Sequence, residues 1–461
     1  MQKKLFSDLL RSRRGIIGVS IIAFLLLLSA LAPLIIPIES YLMWNSPDYW
    51  INNPKTSAPS WTNFFGSNEF EHISLDKSDA KTNSELSEGI TVVNYRFEIN
   101  VQADDFPDDL MFLHSIKYGD IPPVLQIDIT RPDNNTFTVY YSSLPTTNNV
   151  NNTFTNRIFS TNNNIKESLS QYQGFFNFPI SGFEPQVILF SDNNNPRVLN
   201  GVYEISQRFF LFDNSSNIED VSVILGGKVY GIMGTDDLRR DLFIGIIWGT
   251  PMALFIGLTV SVFSISIGLI YGVVAGYRGK KTDEGMMRIN DVFYAFPTLI
   301  LLILLSITFG SNIFLIIVIL MIFGWVGTAK VIRSIALQMR NFQYVEAAKL
   351  MGQSDFKVIF KHIIPQLLPL TFANVAISVP GAILAEAALS FIGLGDPTLP
   401  TWGQLLRDAN TADAASRGLW WWIIPPGLMI ALTGLAFFLI GTALDSISNP
   451  LRSKNEKGQY R

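Results

Sequence analysis

Apolar positions in this chain come in two arrangements. Long unbroken apolar runs, from Gly15 to Pro37 and again from Leu242 onward, flank a polar middle in which apolar and polar residues alternate. The first run follows Arg11, Arg13 and Arg14. At about 20 residues it is long enough to cross a ~30 Å hydrocarbon core as a helix. It outruns the roughly 7–15 residues of a signal peptide's apolar segment, so it reads as a first transmembrane helix. Further spans are predicted over Leu242 to Val274, Asn290 to Phe309, Ser311 to Val331, Leu370 to Phe391 and Trp420 to Leu444. Phe296-Pro297-Thr298 is expected to bend the third of the six, because proline withholds a backbone donor.

The middle of the chain follows a period of two. Alternation in Thr91 to Val101 and in Val124 to Tyr141, the latter broken by Pro132-Asp133-Asn134-Asn135, predicts strands and a hairpin with a polar turn. Gln186 to Ser191, Gly201 to Asp213 and Val221 to Ile232 are further strand candidates. The fold class that follows is a mainly α-helical polytopic membrane protein of six transmembrane helices with an inserted β-rich, sandwich-like domain. Its divisions fall at 1–37, 38–233 and 234–461.

Composition agrees with the membrane class, since 48% of residues are apolar and only 16% charged. The net charge of −4 conceals an asymmetry. Between Tyr41 and Arg240 stand 24 acidic against 13 basic residues. The segments 1–14, 276–288, 330–365 and 450–461 carry 19 Lys and Arg, whereas the outer loop from Asp396 to Leu419 carries two. The positive-inside rule therefore places both termini and these loops in the cytoplasm and the acidic domain outside. The chain has no cysteine, which excludes disulfides and thiolate chemistry. His72, His114 and His362 lie far apart in sequence, and no metal site is assigned. No phosphate-cradling Gly-x-x-x-x-Gly-Lys-Ser/Thr loop is present. Neither catalysis nor a bound cofactor is expected of this chain, nor a nucleic-acid partner, and any ATP hydrolysis falls to another polypeptide.

One segment is too polar to span yet lies between spans. Val345 to Pro369 contains Glu346-Ala347-Ala348, then Gly352, then His362 and Pro365. This pattern resembles the EAA loop of bacterial ABC-transporter permeases. Four other stretches sharpen the likeness: Gly234-Thr235-Asp236 leading to Arg239-Arg240-Asp241, Gly276-Tyr277-Arg278-Gly279, Glu386 to Gly395, and Pro400-Thr401-Trp402-Gly403. They are similar to the dipeptide and oligopeptide subfamily, with Arg239 standing where that subfamily usually has glycine.

The resemblance implies a permease subunit of an ATP-driven importer of di- or oligopeptides in a prokaryotic cytoplasmic membrane. It implies four kinds of partner: a homologous second permease, two ATP-binding subunits, an extracytoplasmic substrate-binding protein and a peptide. The loop 333–369, through Glu346, Ala347, Ala348, Gly352, His362 and Pro365, would dock on the ATPase. His362 is expected to make a local hydrogen bond rather than relay protons, and Glu386 to be a structural hydrogen-bonding group rather than a substrate contact. Other readings are the same machinery carrying nickel complexes or oligosaccharides, a membrane-anchored sensor or adhesin, and an ion-driven carrier. A sensor calls for a signalling domain, and the predicted intracellular segments are short. A carrier calls for several charges at mid-membrane, and few are found.

Overall fold

The computed structural model describes residues 7–66, 68–87, 89–146, 153–213 and 216–448. Lys3, Lys4 and the basic tail 450–461 lie outside the described residues. The chain divides into two compact units, Ser46–Phe243 and the segments on either side of it.

The inserted unit is a β-sandwich. Its strands are β1 (Ile73–Leu75), β2 (Lys81–Ser87), β3 (Ile90–Val101), β4 (Asp109–Lys117), β5 (Val124–Thr130), β6 (Thr136–Ser143), β7 (Phe154–Phe159), β8 (Gly201–Leu211) and β9 (Asn217–Gly226). They form two antiparallel sheets, in the orders β1-β9-β4-β7 and β2-β3-β8-β5-β6. The period of two explains the layering: β3 buries Tyr95, Phe97, Ile99 and Val101 and exposes Arg96, Glu98 and Asn100. Opposite them, Leu110 and Phe112 of β4 and Val221 and Val223 of β9 complete one shared core.

The expected hairpin is β5–β6. Its turn places Asn134 at φ +61°, and Arg131 N donates to Asn135 O at 2.9 Å. One strand candidate is corrected: Pro185–Phe190 is a short helix, not a strand. Proline at its first position has φ preset for a helix and gives up a donor that would have no partner there anyway.

The unit's boundaries differ from the composition-based 38–233. Tyr41 stacks on Trp248 with centroids 4.8 Å apart, and Trp44 lies against Gly245, so 38–45 pack with the membrane helices. At the other boundary Thr235 Oγ1 donates to Pro54 O at 2.8 Å and accepts from Ser57 N at 2.9 Å. Residues 234–243 therefore belong to the sandwich unit.

The membrane unit contains α1 (Arg13–Ile35), α2 (Leu242–Arg278), α3 (Lys280–Ala295), α4 (Thr298–Phe309), α5 (Ile313–Met339), α6 (Gln343–Leu350), α7 (Asp355–Phe391), α8 (Trp402–Thr411) and α9 (Trp420–Ser448). Among the described residues, five helices (α1, α2, α5, α7 and α9) are long and apolar enough to span. The predicted third span is broken: α3 and α4 meet at 67° around Pro297, and counting the pair as one span makes six. Alone, the 12 residues of α4 reach only ~18 Å.

Small residues bring the spans together. A Cβ on Gly268, Gly272 or Gly276 of α2 would lie 2.8, 2.6 and 2.6 Å from the carbonyl oxygens of Trp325, Ala329 and Arg333 on α5. The two backbones are thus in contact at three points over about two turns, as close membrane packing requires. Near the basic end of this contact Arg333 forks onto Asp283 at 2.5 and 2.6 Å, and Lys330 pairs with Asp291 at 2.8 Å. Near the other end Trp402 Nε1 donates to Ile246 O at 3.0 Å, and its ring fills the space over Gly249.

Candidate coupling site

Much of the segment read as a loop, 333–369, is helical. The apolar stretch of α5 continues to Met339, and α7 starts at Asp355. Between them α6 stands as a separate two-turn helix.

The C-terminus of α6 is closed by backbone geometry that needs glycine. Gln353 N donates to Ala348 O at 3.1 Å and Gly352 N to Lys349 O at 2.9 Å. This is a Schellman motif, with Gly352 at φ +75° in the left-handed position. The next helix starts at once, Ser354 capping its first turn. His362 Nε2 then bonds Gln353 Oε1 across the turn at 2.8 Å. Just beyond, Ile364 N reaches Ile359 O in a single π-type turn that precedes Pro365. A proline lacks the donor that would continue the regular ladder, and a π turn is one way to accommodate the break.

Two faces result. Val345 and Ala348 are buried with Val273 and Tyr277 of α2, Ile332, Ala336 and Met339 of α5, and Val358, Ile359 and Ile363 of α7. Lys349 Nζ lies 4.6 Å from the centre of the Tyr277 ring, and Tyr277 Oη donates to Asp355 Oδ1 at 2.9 Å. α6 is thereby fixed to three long helices at once. The other face is open: Glu346 and Ala347 are exposed, and Leu350, Met351 and Phe356 are 89%, 73% and 69% exposed. Phe360, 42% exposed, stacks on Phe356 with centroids 4.4 Å apart.

Of the residues singled out from sequence, Glu346, Ala347 and Gly352 lie on the open side. Ala348 forms the inner face, while His362 and Pro365 shape the following helix. Leu350, Met351, Phe356 and Phe360 were missed. The signal for them was an apolar group set out of phase with the buried positions of a charged segment.

Glu386 lies elsewhere, toward the C-terminal end of α7. It is buried, takes hydrogen bonds from Ser390 Oγ at 2.7 Å and from the Thr401 hydroxyl, and is covered where Gly403 of α8 meets Ala387. Among the described residues no group of His, Asp and Glu is arranged to hold a metal ion.

Comparison with known proteins decides the family. Residues 267–454 match the binding-protein-dependent transport system inner membrane component. The dipeptide transport system permease protein DppC of Bacillus subtilis (strain 168) is 38% identical over 218 residues, 47% of this chain and 68% of the relative. The oligopeptide transport system permease protein OppC of the same organism is 37% identical over 47% of this chain and 70% of its own length. OppC of Haemophilus influenzae is 38% identical over 48% of this chain and 70% of its own length.

This chain belongs to that permease family. It is a multi-pass inner-membrane transport component of the DppC and OppC type, with a β-sandwich inserted before the matched region. The broken α3–α4 pair, the glycine ridge on α2 and the exposed tip of α6 are features of the permease unit itself.

Proposed function

We propose that this permease is one of two membrane subunits of an ATP-driven importer of di- or oligopeptides, and that α6 with the turn after it receives the push of a separate ATP-binding subunit. The observation that carries this is the pairing of an open apolar tip with a locked inner face. Leu350, Met351 and Phe356 leave a patch that an isolated chain has no reason to expose. Val345 and Ala348 tie the same short helix to α2, α5 and α7, so a displacement at the tip moves three long helices together.

In this reading a homologous permease supplies the second half of the pathway, and two ATP-binding subunits supply the energy. An extracytoplasmic binding protein delivers the cargo, with the sandwich helping to dock or orient it. Both termini and α6 face the cytoplasm of a prokaryotic cell and the sandwich faces outward, in keeping with the distribution of Lys and Arg. The peptide cargo is inferred from the names of the relatives. Mass spectrometry of the molecule copurifying with the assembled complex separates it from nickel complexes and oligosaccharides.

The role of α6 is tested by Glu346→Lys and Gly352→Trp in complexes reconstituted with their ATPase and binding protein. Uptake is expected to fall by about tenfold or more, the effect of ~1.4 kcal/mol, while ATP hydrolysis persists. Wild-type uptake in both variants contradicts the assignment.

A further inference from the structure

One helix of the membrane unit is unlike its neighbours. α4 has no charged residue, whereas α3, joined to it at Pro297, carries Lys280, Lys281, Asp283, Glu284, Arg288 and Asp291. The two meet at 67°, so no single straight helix carries both.

α3 is packed on one side only. Asn290 Nδ2 donates to Val326 O at 3.1 Å, and Asp283 and Asp291 are taken up by Arg333 and Lys330 of α5. Two of its three acidic residues are thereby neutralised from the neighbouring helix. The third, Glu284, comes no closer than 3.8 Å to Arg288. Arg278, Lys280, Lys281 and Arg288 are all exposed, which leaves this stretch with an excess of positive charge on its surface.

The open side has a definite order. Gly285, Ile289 and Val292, at i, i+4 and i+7, share one stripe, and Lys281 and Arg288 run beside it. Ile289 and Val292 are 54% and 57% exposed, and nothing lies within 4 Å of where a Cβ on Gly285 would stand. Past the bend, exposed apolar residues continue at Phe296, Leu299 and Ile300 onto the uncharged α4. An apolar stripe bordered by Lys and Arg is the pattern of a helix lying in the bilayer interface, and here it runs on into the apolar half of a span. Acyl chains accept the stripe, and anionic headgroups attract its basic border.

We propose that α3 lies in the headgroup layer, with Gly285, Ile289 and Val292 against acyl chains and Lys280, Lys281 and Arg288 on the phosphates of anionic phospholipid. The contact depends on neither the cargo nor the ATP-binding subunit. The chain has no cysteine, so one can be introduced singly. Gly285→Cys, in open space, carries a bimane fluorophore in the full chain, reconstituted in vesicles of equal phosphatidylcholine and phosphatidylglycerol. The acyl chains of one lipid or of the other are brominated, and the quenching is compared. The same label at Glu346→Cys, exposed on α6, is the reference outside lipid. The label at 285 is expected to be quenched by either lipid, and more strongly by about twofold or more when the bromines are on phosphatidylglycerol. Adding Lys280→Gln, Lys281→Gln and Arg288→Gln, all at exposed positions, should level the two lipids while the label stays quenched. Quenching no greater than at 346 overturns the proposal, since water or a protein then covers the stripe. Equal quenching by the two lipids before the glutamines are added overturns it as well, as does a preference that survives all three.

Discussion

The two units of this permease are held together in opposite ways. The sandwich fills its interior with large side chains such as Phe97, Phe112, Tyr203 and Phe209, drawn together by the exclusion of water. The membrane unit has no such driving force between helices surrounded by lipid. It relies on Gly268, Gly272 and Gly276 to bring α2 and α5 into backbone contact. The contrast teaches that the sandwich is vulnerable to losing volume and the helical unit to gaining it.

The largest expected effect tests the first half of that statement. Phe112→Ala removes a fully buried ring and should cost the sandwich about 3–5 kcal/mol. Hydrogen exchange of β4 and β9 in the intact protein would accelerate, with α5 and α7 unaffected. Next comes acid. His114 is completely buried in β4, and burial pushes its imidazole down to about 4. The folded state thus holds it neutral while the unfolded chain takes up a proton below about 6.5. Stability from this group is complete above pH ~6.5 and is lost as pH falls toward 4, by up to about 3 kcal/mol. His114→Leu should flatten the acid limb of the sandwich's unfolding curve; an unchanged limb would place the acid sensitivity elsewhere.

The second half of the contrast is tested by Gly272→Leu. Its first carbon alone would lie 2.6 Å from the Ala329 carbonyl oxygen, so α2 and α5 must separate. A cost of about 1–3 kcal/mol or more is expected, read as a lower midpoint of thermal unfolding in detergent. The smallest effect is at Arg239, which occupies a left-handed conformation at φ +66° that favours glycine. The strain of about 1–2 kcal/mol is offset by contacts. Its guanidinium reaches Asp109 Oδ2 and Asn53 O, each at 2.8 Å. Arg239→Gly removes both strain and contacts, and the net change should stay within about 1 kcal/mol; a larger loss would show that the Asp109 pairing dominates.

The membrane unit was legible because its signals are local. Apolar run length marked the spans, and the Glu-Ala-Ala, glycine and His-x-x-Pro spacing marked α6. Each of these depends on neighbours in sequence. Gly352, part of that spacing, stands at φ +75° where α6 ends. The sandwich was less legible because its order is set by pairing between distant strands. β4 escaped notice because its Leu110, Met111, Phe112 and Leu113 are all buried, which erases the alternation that β3 displays. The helix Pro185–Phe190 was mistaken for a strand because its apolar run, Val187 to Phe190, has too few positions to distinguish the two periods. The exposed tip Leu350-Met351-Phe356 also escaped, since the fold determines which apolar residues of an amphipathic segment are left exposed.

The central claim is that the open side of α6 bears on a separate ATPase. The most direct measurement places single cysteines at Leu350 and Met351, both largely exposed, and crosslinks the assembled transporter with a short bifunctional reagent. The account predicts a product joining this chain to the ATP-binding subunit whose yield changes with nucleotide. Crosslinks that never reach an ATP-binding subunit, or import by this chain alone in lipid vesicles, would contradict it.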